Sequence, residues 1–205
     1  MQLQHPLATV TAAVDGDVLE VLTRSDQEYS LTTLAGLIPH RSPAGIRIAA
    51  LRLAEQGIVQ HRVVGRSRLF TLNRDHLAAS TIIELAHVRA TFLTRLTEAC
   101  NHIPQLTYAA LFGSAARGEM RTDSDIDLFF VLSGETTQET AAGVEEQIHE
   151  LATRATAWTG NDVRPVIYHE DAIEPQPVLR AIAAEGITIC GEDRWLRRRL
   201  QGMSA

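Results

Sequence analysis

The sequence predicts an α+β chain in two parts joined by a long helix. Helices and a two-stranded hairpin fill residues 1–74, a linker helix fills 75–103, and a small mixed sheet with helices fills 104–205. Three observations carry this. The 205 residues leave room for one full domain or two small ones, at roughly 100–200 residues per domain. Apolar residues recur at helical spacing in the front part, whereas in the back part short apolar runs alternate with helical segments. Charge is divided in the same way. Residues 1–74 hold eight Arg against six acidic residues, a net of +2; residues 75–205 hold eleven against nineteen, a net of −8, and the two sum to the formal −6.

Taken in order, Asp15 or Asp17 caps a short helix carrying Val18, Leu19, Val21 and Leu22, and Ser30 caps a second, from Leu31 to about Ile38. In HRSPAGIRIAALRLAEQGIV, Ser42 is the N-cap of a third, Pro43 takes the first helical position and Gly57 follows the end. IVQHRVV and RLFTL then alternate like strands around Gly65-Arg66-Ser67. Residues Asp75 to Cys100 contain no Gly or Pro and carry a wide apolar stripe, Leu85, Val88, Phe92 and Leu96, broadened by Ile82, Ala86 and Leu93. They predict one helix of about 39 Å, and a stripe wider than one neighbour needs predicts a homodimer. Beyond Pro104 come a strand from Leu106, a strand from Ile126, a helix from Thr137 to about Thr159, a strand from Val163, a helix from Val178 to Glu185, a short strand from Ile187 and a last helix from Trp195 to Gln201.

Composition removes whole classes. All 19 basic residues are Arg, so no lysine serves as nucleophile, Schiff base or phosphate-loop residue. The 45% apolar content fits a packed protein. No apolar run reaches about 18 residues, and the start lacks a basic segment followed by an apolar one. Neither a membrane partner nor a signal peptide is expected. Cys100 and Cys190 match no metal or redox spacing and read as buried thiols in a reducing cytoplasm.

The sharpest motif is LFGSAARGEMRTDSDIDLFFV. A buried strand ends at Gly113-Ser114 and a helix begins near Ala115. Glycine permits close backbone approach, and free N–H groups at a helix start favour phosphate. After ten intervening residues beyond Ser114, Asp125-Ile126-Asp127 heads an apolar strand. Residues i and i+2 of a strand share a face. Two carboxylates held together repel unless a divalent cation lies between them, and oxygen ligands select Mg²⁺ or Mn²⁺. A phosphate cradle beside a carboxylate clamp is the equipment of phosphoryl or nucleotidyl transfer.

This arrangement resembles the signature of the DNA polymerase β-like nucleotidyltransferase superfamily, and its size resembles the minimal members. The resemblance covers about residues 104–192. It implies that Gly113 and Ser114 hold a nucleoside triphosphate, that Asp125 and Asp127 hold two Mg²⁺ ions, and that the products are a nucleotide monophosphate ester and pyrophosphate. Arg117 and Arg121 become phosphate contacts. The superfamily usually sets a third acid on a neighbouring strand. Here the strand VRPVIY carries none; Asp162 just before it is the best substitute, Glu170 and Asp171 follow it, and His169 is a candidate to approach the site. Pro165 predicts an edge position for this strand. The basic segment Arg194–Arg199 reads as a solvated helix face.

Residues 14–73 resemble a winged helix-turn-helix domain of the kind found in bacterial regulators. In that fold the third helix enters the major groove of double-stranded DNA. The resemblance sets Arg41, Ser42 and Arg47 near the DNA-facing start of this helix, and Arg62, Arg66 and Arg68 on the wing. The combined expectation is a DNA-binding protein that transfers a nucleotide monophosphate from an NTP to an acceptor. The alternatives are a transcriptional regulator whose nucleotidyltransferase domain only senses nucleotide, and an antitoxin-type nucleotidyltransferase with a toxin as partner.

Overall fold

The computed structural model describes residues 1–134 and 138–203. The chain divides into two compact units, one built from Gln2 and Gln4–Arg89 and the other from Met1, Leu3 and the residues from Ala90 onward.

In the first unit, a short 3-10 turn at Pro6–Thr9 precedes α1 (Val14–Thr23), β1 (Tyr29–Ser30), α2 (Leu31–Leu37), α3 (Pro43–Glu55), β2 (Val59–Val64), β3 (Ser67–Leu72) and α4 (Ala79–Ala86). The N-cap of α1 is Ala13, with no side-chain cap. Asp15 and Asp17 lie inside the first turn instead. There they favour the positive helix end and accept from Arg52 and Arg41. Ser30 and Ser42 do cap their helices, accepting from the N–H groups of Thr33 and Gly45 at 3.1 Å, and Gly57 follows α3 with φ +78°. β2 and β3 form an antiparallel hairpin, and β1, which alternation does not reveal in two residues, adds a third strand in the order β1-β3-β2. Val18, Leu22, Leu34, Ile46, Ala50 and Phe70 form the core.

The predicted single helix from Asp75 to Cys100 is two helices: α4 ends at Ala86, and α5 spans Val88–Cys100. The break falls at His87. Its backbone N–H is shared between the carbonyls of Ile83 and Glu84, and its ring Nδ1 lies 2.7 Å from the Ile83 carbonyl. The broad stripe is therefore used twice. Ala79, Ile82, Ile83 and Leu85 join the first core, while Phe92, Leu96 and Cys100 join that of the second unit. Part of the width that suggested a homodimer is used within the two units, while Ile82, Ile83, Leu85 and Val88 stay half-exposed.

The second unit continues with β4 (Leu106–Phe112), α6 (Gly113–Arg117), β5 (Ile126–Leu132), α7 (Gln138–Thr159), β6 (Val163–His169), α8 (Pro177–Glu185), β7 (Ile187–Cys190) and α9 (Trp195–Gly202). The expected start of α7 at Thr137 lies outside the described residues. The sheet order is β6-β5-β4-β7, with β5 and β6 parallel and the other pairs antiparallel. Pro165 thus sits on an edge strand, as expected. β5 is apolar almost throughout because both faces are covered. Ile126, Leu128, Phe130 and Leu132 pack with Phe92, Leu96, Ile148 and Leu151 of α5 and α7. Phe129 and Val131 pack on the other face with Leu179, Ile182, Leu196 and Leu200 of α8 and α9. No helix among the described residues is long and apolar enough to cross a membrane.

Candidate functional site

Strand alternation decides where the two aspartates go. Asp127 falls on the β5 face that carries Phe129 and Val131, and Asp125, two residues earlier, shares it. That face is packed by α8 and α9 toward its middle, so the aspartates lie at the uncovered head of the strand. Asp127 pairs across the sheet with Phe112, the last residue of β4. The next residue, Gly113, has φ +69°, and a Cβ built on it would lie 2.7 Å from Oδ2 of Asp127. The turn can pass this close to the carboxylate only without a side chain. α6 starts at Gly113, two residues earlier than expected.

The backbone around Asp125 is pinned on both sides. The Ser124 carbonyl accepts from Asn161 Nδ2 at 2.8 Å, and the Ile126 N–H donates to the Asp162 carbonyl at 2.9 Å. Asn161 is buried, and its Oδ1 also accepts from the Met1 ammonium at 2.5 Å. The Arg121 N–H donates to Ser124 Oγ at 2.8 Å. Burial, followed by the neighbouring charge of Asp125, pushes the Asp127 carboxyl above the usual Asp range, while Arg164 pulls it down. This is the electrostatic state that a bound cation relieves.

Arg164, which sequence reasoning passed over, joins the site. It is paired with Asp127 in the parallel register of β5 and β6. Its Nη1 lies 2.6 Å from Asp125 Oδ2, and its Nε donates to Asp162 Oδ2 at 3.0 Å. Asp162 is thereby brought to the site, but bound to a guanidinium. The one signal available in advance was a basic residue on the strand expected to bear an acid; its partner could not be known without the register.

The other candidates fare differently. Arg117 is engaged with Glu119 at 2.7 Å and Glu185 at 3.3 Å. Arg121 is exposed and forms no ion pair with the described residues. His169 sits at the opposite end of β6, opposite Leu132, and faces Glu145 at 3.7 Å. It does not approach the aspartates. Glu170 pairs with Arg199, and the C-terminal arginines are partly spent on the body of the unit, with Arg198 bonded to Glu192 and Arg197 to the Ala183 carbonyl. Cys100 is buried as expected, but Cys190 is half-exposed.

In the first unit, Arg41 Nε donates to Asp17 at 2.7 Å and its Nη2 to the Ala12 carbonyl at 2.9 Å. Arg62 is held by both oxygens of Glu28, which raises the Arg62 guanidinium pKa and lowers that of the Glu28 carboxyl. Ser42 Oγ is occupied by its capping bond. Arg47 and Arg66 are exposed, Arg68 is half-exposed, and none of the three forms an ion pair among the described residues.

Residues 94–194 match the family model for polymerase β nucleotidyltransferases. The second unit therefore contains a polymerase β-like nucleotidyltransferase domain. No curated protein matches the chain. Similar solved structures include a toxin–antitoxin complex with AMP-PNP, 20% identical over 56% of this chain and 82% of that one, with a TM-score of 0.39. A mutant of the MntA–HpeT toxin–antitoxin pair is 17% identical over 55% and 83%, with a TM-score of 0.41.

Asp125 and Asp127 suit Mg²⁺ or Mn²⁺: both are oxygen donors on one strand face, and the Asp127 carboxylate accepts no hydrogen bond from the described residues. Among the described residues, no group of three or more His, Cys, Asp and Glu side chains is gathered to hold a metal ion. Two carboxylates with remaining positions left to substrate phosphates is a common Mg²⁺ arrangement.

Proposed function

We propose that this protein is a metal-dependent nucleotidyltransferase whose N-terminal unit, read as a winged helix, binds double-stranded DNA. The observation that carries the catalytic half is the close fit of Gly113 against Asp127, with Asp125 on the same strand face, inside the domain that matches the family. Asp125 and Asp127 would hold the cation, which when bound polarises the reacting phosphoryl group and offsets its charge. Gly113 and Ser114 would let the backbone approach the triphosphate closely, and Arg121 stands free to contact it. Asp162, joined to the pair through Arg164, is the further carboxylate that would serve as general base. The test is incubation with each labelled NTP, Mg²⁺ and an acceptor panel: DNA, RNA, the chain itself and a toxin encoded beside it. Labelled product that disappears in Asp127→Asn supports the reading. NTP binding with no product on any acceptor removes the catalytic half.

The DNA half is supported by Arg47 on α3 and Arg66 and Arg68 at the hairpin turn, which have no acidic partner among the described residues, while Arg24, Arg41, Arg52, Arg62 and Arg74 of the same unit are paired. Cations left unpaired are the ones available to phosphates and base edges.

A second reading has its own observation. Arg164 partly neutralises Asp125, and β6 carries no acid, which favours nucleotide binding without turnover and a domain that senses nucleotide to alter DNA affinity. A nucleotide-dependent change in DNA affinity that is lost in Asp125→Ala favours this reading. Unchanged affinity at saturating NTP counts against it.

A further inference from the structure

We infer that Arg164, an exposed side chain tied to two acids of the site, is a built-in counter-ion that limits the carboxylate site to one divalent cation. The inference rests on the metal-dependent reading given above and deepens it. Three carboxylates reach this region: Asp125 and Asp127 from the head of β5, and Asp162 from the residue before β6. Parallel pairing sets Arg164 beside Asp127, and paired residues of a sheet project to the same face. Val166 and Tyr168, which follow Arg164 at two-residue steps, pack in the same cluster as Phe129 and Val131, so the alternation agrees along both strands.

The guanidinium then bridges two of the three acids, Asp125 through Nη1 at 2.6 Å and Asp162 through Nε at 3.0 Å. A planar fork is suited to such bridging. Three carboxylates against one guanidinium leave a net charge of −2, which one divalent ion balances. Asp127 is the carboxylate left without a hydrogen bond, half-buried and beside the space that Gly113 keeps open. The ion therefore has its anchor on Asp127. A second ion would need Asp125 and Asp162 together, and that position is filled by the guanidinium. Breaking the Asp125 contact alone does not remove Arg164, because the bond to Asp162 keeps it in reach.

The test counts bound metal without relying on turnover. The full chain, Arg164→Gln and Arg164→Lys are titrated with Mn²⁺ alone, free Mn²⁺ is read by electron paramagnetic resonance, and circular dichroism confirms the fold. One Mn²⁺ per chain is expected for the wild type and for Arg164→Lys, which keeps the charge. Two are expected for Arg164→Gln, with the dipolar broadening of neighbouring ions. Two ions in the wild type, or a single ion of unchanged affinity in Arg164→Gln, would overturn the inference while leaving the nucleotidyltransferase reading in place. No Mn²⁺ bound by the wild type at millimolar concentration would remove both. The wild-type count is decisive even if a variant fails to fold.

Discussion

Oδ2 of Asp127 lies 2.7 Å from the point where a Cβ on residue 113 would stand, and residue 113 is a glycine at φ +69°. Gly113→Ala therefore meets two obstacles at once. The left-handed backbone costs an L-residue roughly 1–2 kcal/mol, and the added methyl forces the Asp127 carboxylate to move. The urea midpoint should fall accordingly, and Mn²⁺ affinity should fall with it. A variant with wild-type metal affinity would show that Asp127 does not hold the ion in this geometry.

Asp125→Asn and Asp127→Asn should separate in their effects. Asp127 carries the free carboxylate, so its replacement should abolish divalent-cation-dependent NTP binding. Asp125 is already shared with Arg164, so its replacement should weaken binding less. Calorimetric titration of Mg²⁺ and NTP measures both, and equal wild-type affinity in the two variants would make them ordinary strand-end residues.

If Arg47 reads a base edge, Arg47→Ala should cost about 1–3 kcal/mol and relax preference at one position of a selected DNA site. Loss of Arg66 or Arg68 should instead weaken all sequences alike, and lower the salt slope by about one unit per phosphate contact. Arg41→Ala and Arg62→Ala should change DNA affinity less, since both side chains are bonded within the unit. Binding measured across a salt series on selected and scrambled sites tells these apart.

Burial, followed by the nearby Cys190, pushes the Cys100 thiol up to about 12 from an ordinary value of 9.0. Native protein treated with iodoacetamide near pH 8 should therefore be labelled at half-exposed Cys190 and spared at Cys100, as peptide mass spectrometry will report. The sign of the pH dependence follows from the same shift. Below pH 9 the thiol is protonated in both states and contributes nothing. Above it the unfolded thiol ionises while the folded one does not, so stability falls as pH rises from about 9 toward 12. Cys100→Ala should remove that part of the alkaline loss.

Ser42 Oγ accepts the Gly45 N–H at 3.1 Å at the start of α3. Ser42→Ala should lower unfolding free energy by about 1 kcal/mol, detectable in chemical denaturation. Ser42→Asp should preserve it.

Much of the second unit was legible because its signals are local. From Leu128 to Leu132 β5 is a bare apolar run bracketed by Asp127 and Ser133, β4 ends on a Gly-Ser turn, and Pro165 announces an edge. The features missed depend on pairing across distance. Arg164 enters the site only because β5 and β6 align Asp127 with it, and no periodicity encodes that register. Arg41 and Arg62 looked free in the sequence; Asp17 and Glu28, 24 and 34 residues away, hold them. The break at His87 escaped because histidine is an acceptable helix residue. β1 has two residues, too few to show alternation.

Pro165 also bears on how copies of this protein tolerate one another. A strand at the rim of a sheet offers a row of donors and acceptors to any extended chain that approaches, the usual route to aggregation. On β6 the proline ring deletes a donor from the backbone, and Arg164 sets a charge beside the gap. The opposite rim, β7, is only four residues long. Both borders of the sheet are thus poor templates for strand addition, so the second unit can be concentrated without its sheet propagating from one molecule to the next.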